Sequence, residues 1–233
     1  MRPLQGEILL KAWERCSQQP GPARALTLLQ ASQPEWKTED LAEFPLAERN
    51  RLLLELRAIT FGHKVEGFAV CEHCGVQLEF VMDAREIAAQ ISPAASQTWI
   101  EGDRELSMRP ANTSDVLACM AAKDESDAHR ILLSRTTGWN DESNAESFEN
   151  LVRRFDAINA SSEIQLALRC AGCSETCKLD LDIARFLYRE TEIAARRLLA
   201  DIHRLATAYG WSEHSIAEMS SQRRASYLGM LDV

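Results

Sequence analysis

The segments Cys71-Glu72-His73-Cys74 and Cys170-Ala171-Gly172-Cys173 decide the fold of this 233-residue chain. Each is a Cys-x-x-Cys pair, and four thiolates supplied by two such pairs form a tetrahedral zinc site. Alternating apolar and polar residues flank both pairs, which predicts a strand on either side of each turn. The sequence therefore predicts a zinc ribbon in two distant halves, with Zn²⁺ held by Cys71, Cys74, Cys170 and Cys173.

Two other uses of the cysteine pairs remain open from the sequence. A Cys-x-x-Cys pair can lower a thiol pKa and support disulfide exchange, although redox pairs usually stand at the start of a helix. The thiols could also be inert. Cys177 extends the second pair to Cys-x-x-Cys-x-x-x-Cys, so it is an alternative fourth ligand in place of Cys173. Cys16 and Cys119 lie in helical contexts and are interpreted as small buried residues.

The rest of the chain predicts an α+β fold that is mainly α-helical. Residues 1–62 carry helical periodicity and form a predicted N-terminal helical module. Residues 63–182 form the split ribbon, interrupted at about 84–160 by a helical insert with a hairpin around Gly102-Asp103. Residues 183–233 contain an uninterrupted helical pattern from Ile183 to Ala208, followed by a helical hairpin.

Composition argues against several classes of protein. The formal net charge is −9, whereas a nucleic-acid-binding surface is normally basic. No run of 18 apolar residues predicts a membrane span, and the first residues lack an apolar signal core. Seven cysteines, an odd number, fit a metal in a reducing compartment better than a set of disulfides. We therefore expect a cytoplasmic protein that contacts neither nucleic acid nor membrane.

The motifs favour binding over catalysis. The sequence contains no nucleophile elbow, phosphate-binding loop or His-Glu-x-x-His motif. Four thiolates also leave a metal without an open position for substrate. A thiol oxidoreductase and a zinc-ribbon module that contacts nucleic acid or another protein remain the alternatives. At the C-terminus, the residues predicted to contact a partner are Trp211, Tyr227, Arg223 and Arg224.

Several stretches together resemble one protein family. They are residues 52–62 (LLLELRAITFG), 71–75 (CEHCG), 106–110 (LSMRP), 114–117 (SDVL) and 197–213 (RLLADIHRLATAYGWSE), with Arg223-Arg224 and Tyr227-Leu228. This pattern is similar to the baseplate hub assembly chaperones of T-even-like phages, which also occur in contractile injection systems. The likeness extends from about residue 46 to the end, and the 197–213 block is its most specific part. Ser174 departs from the family's usual Gly, the first pair lacks the usual Pro, and Cys177 is extra.

The resemblance implies a non-enzymatic assembly factor or structural adaptor. Its expected partners are baseplate or hub and spike proteins of a contractile phage tail or a related injection system. The resemblance fits both a cytoplasmic factor that leaves the particle after assembly and a subunit that remains in it.

Overall fold

Over the residues that the structure describes, the protein is a mainly helical α+β fold with three small antiparallel sheets, and the sequence predicted this fold class. A computed structural model describes residues 1–101, 104–139 and 145–231; the predicted turn at Gly102-Asp103 lies outside these ranges. The helices are α1 (Gly6–Ser17), α2 (Gly21–Ser32), α3 (Thr38–Ala42), α4 (Leu46–Phe61), α5 (Ala84–Gln90), α6 (Thr113–Cys119), α7 (Glu125–Thr137), α8 (Ala145–Asn159), α9 (Ile183–Tyr209), α10 (Glu213–Ala217) and α11 (Ser221–Leu231). The strands are β1 (Lys64–Val70), β2 (Gln77–Asp83), β3 (Gln97–Glu101), β4 (Arg104–Met108), β5 (Gln165–Arg169) and β6 (Thr176–Asp180).

The long helix α9 begins and ends where local sequence dictates. The Asp182 carboxylate accepts a hydrogen bond from the backbone N–H of Arg185, which caps the first turn. No Gly or Pro interrupts the helix, and Gly210 ends it in the left-handed conformation with φ of 67°. The predicted span of Ile183 to Ala208 is thus confirmed to within one residue at its end.

The largest apolar core joins the two ends of the chain. It combines buried residues of α1, α2 and α4 with residues of α9 and α10, including Leu53, Leu187 and Leu205. Val65 at the start of β1 and Ile164 just before β5 belong to the same cluster. Both ribbon hairpins are consequently anchored at their open ends in one helical core.

A buried arginine reinforces the junction between this core and the first hairpin. Arg57 of α4 donates to both carboxylate oxygens of Glu190 in α9, at 3.0 and 2.7 Å. Its guanidinium also donates to the carbonyls of Gly62 and Lys64, each at 2.6 Å. One side chain therefore fixes the exit of α4, the entry to β1 and the position of α9.

The insert between the hairpins has its own small core. Met108, Leu133, Leu151, Phe155 and Ile158 bury one another between β4, α7 and α8. Asp115 in α6 is fully buried and accepts hydrogen bonds from Arg109 and Arg135. The insert thus has a core of its own, and the hydrogen bond from the Leu46 N–H to the Ala111 carbonyl, at 2.9 Å, attaches it to α4.

Candidate metal centre

The two Cys-x-x-Cys turns have the same backbone geometry. In the first, the N–H of Cys71 bonds to the carbonyl of Val76 at 2.9 Å and the N–H of Gly75 to that of Cys71 at 2.8 Å. In the second, the corresponding bonds join Cys170 to Glu175 at 2.8 Å and Ser174 to Cys170 at 2.9 Å. Each turn closes an antiparallel hairpin, β1–β2 or β5–β6. The alternating pattern on either side of each pair was therefore a correct indication of strands.

Tertiary folding brings four sulfurs from the two turns together. The Sγ atoms of Cys71, Cys74, Cys170 and Cys173 all lie within 4.8 Å of one another. The Cys71–Cys173 and Cys74–Cys170 sulfur separations are 3.7 and 3.5 Å. In a tetrahedral site with metal–sulfur bonds of about 2.3 Å, neighbouring sulfurs are roughly 3.8 Å apart. The cluster therefore has the size required to hold one metal ion and is compatible with a zinc-ribbon-like site.

A metal at this site would join two hairpins that have little direct contact with each other beyond the helical core. The hairpins form separate two-stranded sheets and share no strand pairing. Around the sulfurs, the hairpins contact each other through a small cluster of buried residues, namely Cys71, Leu78, Cys170 and Cys177. Since Cys71 and Cys173 are 102 positions apart, a metal here closes a long loop of the chain.

Cys177 occupies an inward position of the second hairpin. Its sulfur lies 3.3 Å from that of Cys71, but it is not one of the four mutually close sulfurs. In the strand register Cys177 faces Leu168, and in the first hairpin Leu78 faces Ala69. Because each stands seven residues after the first cysteine of its turn, Cys177 is the structural equivalent of the buried Leu78. This equivalence favours a packing role for Cys177.

Substitutions of Cys173 and Cys177 should show which of the two is a metal ligand and which is a packing residue. Cys177→Val should retain about one metal ion per chain, because a similar apolar volume replaces the thiol at the position equivalent to Leu78. Cys173→Val should lower metal affinity by more than about 100-fold, since even changes behind the ligands cost 10–100-fold. Competition with a chromophoric chelator measures both affinities. If Cys177→Val loses the metal and Cys173→Val keeps it, Cys177 is the ligand.

The electrostatics of the thiols suit a cation at their centre. Burial raises the pKa of Cys71, but a hydrogen bond from Cys177 and the backbone N–H groups of Cys74 and His73 outweigh it and lower that pKa to about 6. For Cys173, the Glu175 N–H lowers the pKa, but burial and the neighbouring sulfurs raise it to about 12. Four thiolates in one cluster repel each other, and a bound cation provides the charge that lets them ionise together.

The turn of the second pair contains a strained position. Ser174 adopts a left-handed φ of 65°, where its counterpart Gly75 in the first turn has φ of 75°. A side chain in this conformation costs about 1–2 kcal/mol relative to Gly. The departure of Ser174 from the family pattern is thus accommodated without a change in backbone geometry.

A reciprocal pair of substitutions should reveal this strain. Ser174→Gly is expected to raise the free energy of unfolding of the metal-loaded protein by about 1 kcal/mol. Gly75→Ala should lower it by about 1–2 kcal/mol, because a Cβ there meets no atom within 4 Å and only the backbone conformation opposes it. Urea unfolding measures both changes. Equal stability of the native protein and both variants would show that a side chain at the left-handed position costs nothing in either turn.

The structure separates the two arginines that the sequence predicts to contact a partner. Arg223 is exposed, whereas Arg224 points inward, donates to the Met219 carbonyl at 2.5 Å and lies 3.8 Å from Asp201. Trp211 and Tyr227 are half-buried and contact each other, with ring centroids 4.8 Å apart. The two arginines therefore do not project together towards a phosphate backbone.

Sequence reasoning missed the third member of this aromatic group. Tyr209 stacks on Trp211 at 4.6 Å and meets Tyr227 edge-on at 5.8 Å. The cluster attaches α11 to the end of α9. The sequence signal for this contact was Tyr209-Gly210-Trp211. A left-handed Gly at the end of a helix reverses the chain and brings the residues on either side of it together.

No helix among the described residues has the length and apolar character needed to cross a bilayer. Comparisons with protein-family models, curated proteins and solved structures find no match to this chain.

Proposed function

We propose that the four-cysteine cluster holds Zn²⁺ in a structural role. A tetrahedral set of four thiolates suits zinc or an iron–sulfur centre. The single-ion spacing of Cys71, Cys74, Cys170 and Cys173 favours zinc. With four protein ligands, zinc has no open position for water or substrate, so its contribution is to stabilise the fold.

We further propose that the protein is a non-enzymatic adaptor or assembly factor for the baseplate or central hub of a contractile phage tail or related injection system. The observation that carries the adaptor role is the closed cluster of four sulfurs, which joins two distant hairpins and leaves no catalytic position. The tail-assembly setting rests on the family resemblance. Baseplate, hub or spike subunits are the partners that it implies.

The stretches that carry the resemblance include residues with a structural role in this fold. Arg57 joins α4 to α9 and β1, and Arg109 forms an ion pair with the buried Asp115. Tyr209 and Trp211 form the aromatic cluster at the end of α9. The presence of these residues in the quoted stretches supports a framework shared with the family that the stretches resemble.

Co-expression with tail proteins tests the proposed function. The chain is produced together with each baseplate, hub and spike protein encoded in its own genome, and the complexes are analysed by native mass spectrometry. We expect a stoichiometric complex with at least one of them. In a deletion strain, electron microscopy should show fewer sheathed particles with complete baseplates, and plasmid expression of the chain should restore them. Normal particles together with no complex would contradict the proposal.

One observation favours the thiol-exchange alternative: the lowered pKa of Cys71, about 6, is typical of a reactive thiol. The Cys71 sulfur is nevertheless buried, and each cysteine pair lies in a turn between strands. An insulin-reduction assay on metal-free protein distinguishes the two functions. Turnover that depends on both Cys71 and Cys74 would support the oxidoreductase.

A further inference from the structure

The two ribbon hairpins allow an internal comparison of their outer faces. Their turns have equivalent hydrogen bonds and their strands have equivalent registers. Side chains alternate between the two faces of a strand, so each outward position in β1–β2 has a counterpart in β5–β6. The exposed counterparts are Phe68 with Ala167, Val70 with Arg169, Glu79 with Lys178, and Val81 with Asp180.

The outer face of the first hairpin is apolar although the ribbon fold does not require it. Phe68 and Val70 are each 65 % exposed and Val81 is 60 % exposed. At the equivalent positions, the second hairpin has a small residue and two charged ones. Phe68 faces Glu79 across the strands and Val81 faces Glu66, so Phe68 and Val81 are diagonal neighbours. A contiguous apolar patch on one of two equivalent hairpins indicates a contact surface.

Acidic side chains accompany this patch on the same face. Glu66 and Glu79 are both exposed, and they alternate with the apolar residues along and across the strands. Lys64 forms an exposed ion pair with Glu66 at 2.7 Å. Within the described ranges, no salt bridge involves Glu79. The face therefore complements a surface with apolar side chains and positive charge.

The strand edge adds a third element of recognition. In the described part of the chain, β1 pairs only with β2. Apart from the Lys64 carbonyl, which accepts a hydrogen bond from Arg57, the other edge of β1 has free backbone donors and acceptors. An extended peptide that pairs with this edge places every second side chain on the same face as Phe68 and Val70. Alternation of apolar and basic residues in such a segment matches the alternation on the hairpin.

We propose that the outer face of the β1–β2 hairpin, formed by Glu66, Phe68, Val70, Glu79 and Val81, docks an extended segment of a partner protein that alternates apolar and basic side chains. This proposal rests on the proposed adaptor function, because it takes a protein as the occupant of the surface. Backbone hydrogen bonds along β1 hold the segment beside this strand. Its apolar side chains pack against Phe68 and Val70, and its long basic side chains pair with Glu66 and extend across the row of Phe68 to Glu79 on β2.

Defined peptides provide the test. The zinc-loaded full chain, labelled with ¹⁵N, is titrated with a ten-residue peptide that alternates Val and Arg, and with a matched peptide that has Glu in place of Arg. We expect the Val–Arg peptide to shift amide signals of β1 and β2 and the Val–Glu peptide to bind more weakly. Phe68→Thr/Val81→Thr should lower affinity by about tenfold or more, because it removes the large apolar side chain that the segment covers and the neighbour on which that side chain rests.

The equivalent hairpin provides the control variant. Ala167→Thr/Asp180→Thr changes the counterparts of Phe68 and Val81 and should leave peptide affinity unchanged. Threonine favours strands, and zinc content confirms that each variant keeps the ribbon. The absence of peptide binding, equal binding of both peptides, or shifts confined to β5–β6 would overturn the proposal. Self-association that Phe68→Thr/Val81→Thr abolishes would make a second copy the occupant and would overturn it as well.

This test is independent of tail assembly because it uses no tail protein. Complexes with baseplate subunits that survive Phe68→Thr/Val81→Thr, combined with no peptide binding, would refute the docking surface and leave the proposed function intact. Peptide binding by a chain that forms no complex with any tail protein would refute the proposed function and leave the docking surface intact.

Discussion

The Cys71→Ser/Cys170→Ser variant is expected to lose its metal and the association of its two hairpins. Purified native protein should contain about one zinc per chain, and the variant none, because each turn then has a single thiolate left. Closing a loop of about 100 residues stabilises a folded chain by about 4.7 kcal/mol in the chain-entropy model of a cross-link. We therefore expect the free energy of unfolding to fall by several kcal/mol.

The loss should be concentrated in the ribbon. The large helical core contains none of the four clustered cysteines, so most of the helical circular dichroism should remain under native conditions. Amide hydrogen exchange should accelerate mainly in β1, β2, β5 and β6. Elemental mass spectrometry measures the metal, and Cys119→Ser is the matched control because Cys119 lies outside the cluster. Iron in place of zinc would contradict the proposed metal. One zinc per chain in the double variant would contradict the proposed set of ligands.

Asp115→Asn is expected to destabilise the insert by about 3–5 kcal/mol, since it leaves two arginines facing a neutral side chain in a buried site. Arg109 donates to the two carboxylate oxygens of Asp115 at 2.7 and 2.9 Å, and Arg135 donates at 2.8 Å. The same carboxylate accepts the backbone N–H of Asn112 at 3.0 Å, which completes the capping box of α6. Urea unfolding of the zinc-loaded proteins measures the difference.

The pH dependence of that difference follows from the pKa of Asp115. Burial raises this pKa, but the hydrogen bonds from Arg109, Asn112 and Arg135 outweigh it, so the folded-state pKa is lowered. A lowered pKa contributes stability that is present above the unfolded-state pKa of about 3.9 and is lost as the pH falls through the folded-state pKa. The stability difference between native protein and Asp115→Asn should therefore be constant from pH 7 to about 5 and shrink at lower pH.

An exposed ion pair provides the control for this substitution. Glu192→Gln removes the partner of Arg196 on the surface of α9, at 2.9 Å, and should change stability by less than about 0.5 kcal/mol. Protonation of the cysteine ligands in acid affects all three proteins alike, so it cancels from the differences between them. A loss below about 1 kcal/mol for Asp115→Asn would show that the network contributes little.

Local sequence was sufficient for the ribbon and for the long helix. A Cys-x-x-Cys turn between two alternating stretches specifies a hairpin through the side-chain period of a strand, and both hairpins form with the turn at the cysteines. Asp182 and Gly210 mark the limits of α9 by capping. The cysteine spacing also identified the four sulfurs that cluster, because each pair supplies its two thiolates from one turn.

The tertiary structure decided which surfaces these elements present to one another. The burial of Cys177 beside the sulfurs, like that of its counterpart Leu78, depends on how the two hairpins pack. Only the packing of α11 on α9 turns Arg224 inward and brings Tyr227 to Tyr209. The core shared by α1, α2, α4 and α9, with the paired Arg57 and Glu190, depends on contacts between residues over 100 positions apart. Sequence periodicity determines the apolar face of an element, whereas its partner is selected by the packing of the whole chain.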